Sequence, residues 1–153
     1  MKKVYALLLV AVMTVAMAVP TFAANSPEAD PVVKTAAGVD VVAGAKEVKT
    51  SVAAASVAVP SEQLAQQVVS VTSTESVLKD LNVPTSAKLV AAVDVSYSGE
   101  IPAGGVQVPF KVPNAKKGDM VYVLHRQPNA PYTWEVVGSG VLGDDLTVTG
   151  TFT

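Results

Sequence analysis

The chain has 153 residues, a formal charge of −2, one histidine, one arginine and no cysteine. The missing cysteine excludes disulfides, thiolate metal sites, a cysteine nucleophile and the lipid-bearing cysteine of a lipoprotein. One arginine in a mildly acidic chain excludes the basic stripe that nucleic-acid binding requires.

Residues 1–23, MKKVYALLLVAVMTVAMAVPTFA, have the pattern of a signal peptide. Lys2 and Lys3 precede an apolar run from Val4 to Val19, and Thr21 and Ala23 put small residues at the −3 and −1 positions of a cleavage site after Ala23, with cleavage after Ala24 the alternative. As a helix the 16-residue run measures roughly 24 Å, short of the ~30 Å hydrocarbon core that a membrane anchor must span. Export is therefore expected, with no membrane attachment after cleavage. Loss of the leader leaves 9 bases against 13 acids, a net charge of −4.

Residues 24–60 are rich in alanine and valine and contain no aromatic residue, leucine or isoleucine. Side chains this small bury little area, so the segment is expected to be a flexible spacer. The rival reading is that VDVV or TSVAAASVAV supplies a strand to the domain downstream. Residues 61–86 change character. SEQLAQQVV reads as a short helix with Ser61 as N-cap and Glu62 in its first turn. A second short helix follows in TSTESVLKDLNVP, where Thr72 and Glu75 have capping-box spacing and Val77, Leu78 and Leu81 share a face. Asn82 is placed to end it and Pro84 cannot continue it.

From residue 87 to 153 the period changes to two. AKLVAAVDVS sets Leu89, Ala91, Val93 and Val95 on one face; VQVPFKV sets Val106, Val108, Phe110 and Val112 there; LTVTGTFT sets Leu146, Val148 and Phe152 there, opposite four threonines. Such alternation marks half-buried antiparallel strands. MVYVLHR and YTWEVV are apolar on both faces, as central strands are. Pro109 assigns its strand to an edge or a bulge. The expected fold is mainly β: a small antiparallel β-sandwich or open barrel preceded by one or two short helices. Its expected core is Leu89, Val93, Val106, Val108, Phe110, Val121, Val123, Val136, Leu146, Val148 and Phe152. The strand pattern is still running at Thr153. Either the helices or a spacer strand cover the open face, or the domain is truncated and a further strand belongs to it.

IPAGGV, KKGDMVYVLH, WEVV and TVTGTF, in that order, resemble a small β-rich module found towards the C-terminal ends of secreted and cell-surface proteins of Gram-positive anaerobic bacteria. The resemblance covers residues 83–153. It implies a structural or accessory role outside the cell and no catalytic residues.

The residues themselves offer few sites. His125 and Arg126 are neighbours on a strand, so their side chains leave opposite faces and cannot converge on one atom without a bulge. His125 is expected to share the face of Val121 and Val123, and Arg126 to face water at the strand end. With one histidine and no cysteine a zinc site is excluded. Asp144 and Asp145 read as a hairpin turn, since the spacing of a calcium loop is absent. Nothing sets Asp94 and Glu100 at the separation glycoside hydrolysis needs. Gly104 and Gly105 lack the lysine and helix of a phosphate loop. The aromatic residues Tyr97, Tyr122, Tyr132 and Trp134 are the candidate ligand-binding set: exposed on one sheet face they could stack on sugar rings, whereas in the core they would be cross-strand pairs. No cofactor is expected. The leading expectation is an exported, non-enzymatic structural or adhesive module, with cell-wall glycan or another surface protein as partner. The alternatives are a carbohydrate-binding module and, less favoured, the accessory domain of a hydrolase.

Overall fold

The computed structural model describes residues 6–15, 45–127 and 133–153. Seven strands and two α-helices form the described part: β1 (Ala6–Val15), β2 (Ala55–Ala58), α1 (Glu62–Thr72), α2 (Glu75–Asp80), β3 (Lys88–Tyr97), β4 (Val106–Lys111), β5 (Met120–Arg126), β6 (Trp134–Val141) and β7 (Thr147–Phe152). A five-stranded sheet has the order β2-β3-β1-β5-β6 and a two-stranded sheet pairs β4 with β7. Both sheets are open. The chain is mainly β, as the alternation indicates.

The sequence pattern explains the layers. Alternate residues of β3 and β5 point to opposite faces, and here both faces are covered. On one face Ala91, Val93, Val95, Val121 and Val123 pack against Val106, Val108, Phe110, Val148 and Phe152 of the smaller sheet. On the other, Ala92 and Leu124 pack against Val68 of α1 and Leu78 of α2, with Val83 beside them. The result is three layers: small sheet, large sheet, helices. Central strands buried on both sides must be apolar throughout, which accounts for MVYVLHR. β1, a ten-residue run without a charge, pairs in parallel with β3 and with β5. The other strand pairs are antiparallel. The segment that reads as the apolar core of a leader thus forms the middle strand of the main sheet; the cleavage region, Thr21 to Ala23, lies outside the described residues.

Three expectations need correction. Residues 45–60 of the expected spacer are packed: Ala45 and Val48 are buried in the core, Thr50 bridges to Phe110, and Ala55–Ala58 pairs with β3. The rival reading of TSVAAASVAV as a strand agrees with the structure over Ala55–Ala58, which pairs with the edge of β3. The first half of the spacer, including VDVV, lies outside the described residues. Second, Leu89 and Val136 leave the core face. Leu8 pairs with Leu89 but Leu9 with Ala91, so Val90 is a bulge on β3; Val123 pairs with Gly138 but Leu124 with Val136, so Val137 is a bulge on β6. A single inserted residue reverses the alternation. Leu89 therefore turns to the helices, and Val136 is 37% exposed while Val137 packs against the core.

Third, the capping box does not form. The Thr72 hydroxyl donates back to the Val68 carbonyl at 2.8 Å, and Thr74 precedes α2 without a side-chain cap. The other helix signals behave as read. Ser61 Oγ accepts from the Leu64 amide at 3.3 Å. Asn82 takes φ 56°, and the Val83 amide reaches the Leu78 carbonyl at 2.8 Å while the Asn82 amide reaches Lys79 at 3.0 Å. That is a Schellman ending, with its accompanying apolar contact between Leu78 and Val83. Pro109 lies in β4, an edge strand as expected.

Candidate functional site

His125 and Arg126 leave opposite faces of β5 and are held by different layers. His125 is 3% exposed. Its ring meets Phe152 edge-on at 5.2 Å, and its Nδ1 lies 2.9 Å from Glu135 Oε1 on the facing strand. The carboxylate can only accept, so Nδ1 carries the proton. Gln127 Nε2 donates to the same oxygen at 2.6 Å. His125 Nε2 is buried and has no hydrogen-bond partner among the described residues. A histidine base acts through a nucleophile within hydrogen-bond reach of its free nitrogen; no such group among the described residues reaches this one. Arg126, at the strand end, keeps part of its side chain exposed. It is half-buried on the helix-covered face and donates to Gln67 Oε1 of α1 at 2.9 Å.

Glu135 is thus the residue on which the buried imidazole depends. Glu135→Ala is expected to cost about 1–3 kcal/mol, the penalty for a buried donor left without an acceptor. Glu135→Gln keeps an acceptor and should lose less. Urea denaturation of both variants checks the order; a harmless Glu135→Ala would contradict it.

The aromatic candidates do not gather on one face. Tyr97, at the end of β3, packs on the side of the smaller sheet. Tyr122 and Trp134 pack on the helix side. All three are partly buried. Tyr132 lies outside the described residues. Tyr97 also lines a groove of about 190 Å³ with Ala53, Ser56, Ser96 and Ser98, where the Ser56 and Ser96 hydroxyls meet at 2.5 Å. A second groove of about 250 Å³ runs between Lys49, Thr50, Pro109, Lys111 and Thr147. Both are smaller than the roughly 300–1,000 Å³ of ordinary small-molecule sites.

The β6–β7 turn is a structural device. Asp144 pairs with Lys117 at 2.8 Å. Asp145 accepts from the Thr147 hydroxyl and from its amide, and these bonds, the hydroxyl first, hold its carboxyl below the usual range. Leu146, between them, takes φ 55°, a conformation that disfavours side chains with a Cβ, and its carbonyl accepts from the Val112 amide at 2.9 Å. A depressed carboxylate pKa stabilises the fold above its unfolded-state value and is lost as pH falls through the folded value. Asp145 is therefore expected to titrate below an ordinary aspartate by NMR, and Thr147→Val should return it towards normal. An unshifted wild-type titration would contradict this turn geometry. No group of three or more potential metal-ligating side chains occurs among the described residues.

No family model matches the chain, and no match to it is found among curated proteins or solved structures.

Proposed function

We propose that the chain is an exported, non-enzymatic module with a structural or adhesive role at the bacterial surface, its partner a cell-wall glycan or another surface protein. The observation that supports this most is the use made of the only histidine and arginine. His125, the side chain best suited to acid–base work, is engaged by Phe152 and Glu135, and Arg126 by Gln67, so both brace the fold. The leader pattern of residues 1–23 supports the placement outside the cell. Fractionation of producing cells tests it. The chain is expected in the medium and the wall fraction; confinement to the cytosol overturns the reading.

The groove beside Tyr97 favours a second reading, a carbohydrate-binding module. Partly buried tyrosine beside serine hydroxyls offers a sugar both a stacking face and hydrogen-bond partners. A glycan array with the wild type, Tyr97→Ala and Trp134→Ala decides it. Binding lost in Tyr97→Ala alone supports this groove, and binding indifferent to both substitutions rejects the aromatic site.

A further inference from the structure

β1 separates β3 from β5, pairing with nine positions of one, Leu7↔Lys88 to Val15↔Tyr97, and six of the other, Ala6↔Met120 to Ala11↔His125. Cleavage after Ala23 removes that strand. It leaves two facing ladders of unpaired backbone, about two strand spacings or ~9.6 Å apart, between strands whose central residues, Ala91 to Val93 and Val123 to His125, are buried. Buried backbone groups without partners are rare in folded proteins because each carries a desolvation penalty. The gap cannot simply close. Val93 and Val95 of β3 and Val121 and Val123 of β5 are packed on the same small sheet, and Ala92 and Leu124 under the same helices. These two layers fix the separation of β3 and β5.

We propose that the processed chain is a strand acceptor: the slot between β3 and β5 takes an extended, uncharged, apolar segment of about ten residues from another polypeptide, inserted parallel to both strands. The proposal rests on the export reading above. The chemistry of the occupant follows from the strand seated there, ALLLVAVMTV, and from the walls, where Ala91, Ala92, Val93, Val95, Val121 and Leu124 are at most 1% exposed. A charged side chain inserted beside these apolar positions would lose its hydration. A second copy is disfavoured as donor. Beyond the leader the chain has three uncharged runs of ten or more residues, 50–61, 63–74 and 101–110, and these already supply β2, α1 and the approach to β4.

The test compares the processed chain starting at Ala24, collected after secretion from a bacterial host, with the full chain. The probe is a synthetic peptide of residues 6–15 with two lysines at each end for solubility. The control peptide carries Val10→Pro and Val12→Pro, which remove ladder donors. The processed chain is expected to form a 1:1 complex with the first peptide by native mass spectrometry. At a hundredfold excess over Kd its melting temperature should rise by roughly 10 °C, and amides of β3 and β5 should become protected from exchange. The control peptide should do none of this, and the full chain should ignore both. If the processed chain precipitates alone, refolding from urea with the first peptide should yield soluble monomer and refolding with the control should not. The proposal is overturned if the processed chain protects β3 and β5 unaided and ignores the peptide, if refolding is not rescued, or if it forms a dimer that the peptide cannot dissociate. Failure of the export reading shows differently, as a secreted-cell preparation in which residues 1–23 remain on the chain.

Discussion

Phe110→Ala is expected to destabilise the domain by about 3–5 kcal/mol, the range for deleting a buried aromatic ring. Phe110 is fully buried at the centre of the small sheet, and its ring meets Phe152 edge-on at 6.1 Å. Phe152 in turn meets His125 of the large sheet. The three rings therefore form the junction between the two sheets, and the small sheet has only β4 and β7 with which to bury its face. Whole domains of this size have about 5–15 kcal/mol of stability, so the loss removes roughly a fifth of it or more. Urea denaturation should show a large fall in midpoint, or no cooperative transition. A soluble variant melting at the wild-type midpoint would contradict the core.

Gly138→Ala should be the most damaging small substitution. Gly138 lies beneath the backbone of β7: a Cβ there would stand 2.0 Å from the Thr149 carbonyl oxygen and 2.9 Å from its carbon. Neither atom can swing aside, so β6 and β7 must separate. The expected loss is about 3 kcal/mol, the upper part of the range for overpacking. Gly140, two residues on in the same strand, is the internal control. A Cβ on Gly140 meets nothing within 4 Å, so Gly140→Ala should change stability by less than about 1 kcal/mol. Equal effects from the two substitutions would contradict the crossing of β6 under β7.

The sequence made β4, β5 and β7 legible because each keeps one phase throughout. Val106, Val108 and Phe110 alternate with Gln107, Pro109 and Lys111 without interruption, and the packing follows that alternation. Leu89 and Val136 were misplaced because a bulge leaves no compositional mark: Val90 and Val137 are ordinary strand residues that happen to be unpaired. Residues 45–60 were illegible for a different reason. Their packing is imposed by neighbours, through the β3 edge and the Thr50–Phe110 bridge, and small side chains give little local signal of it. The apolar run in residues 6–15 was ambiguous in principle. A leader core and a central strand both require an unbroken apolar stretch, and only pairing on two sides distinguishes the strand.

The candidate site was legible in part. The opposite directions of His125 and Arg126 follow from strand geometry alone. Their partners do not, because Glu135 reaches His125 through the β5–β6 register and Gln67 reaches Arg126 from a helix in another layer. The aromatic residues divide between the two faces for the same reason: phase within a strand can be read, but which layer covers each face cannot.

The proposed surface role and the proposed strand-accepting slot both require removal of residues 1–23. The intact mass of the protein recovered from the medium and wall fractions of its own cells tests it most directly. The expected chain begins at Ala24 or, with the alternative cleavage, at Asn25. A recovered chain that retains Met1 to Ala23 would contradict the account and make β1 a permanent strand of the fold.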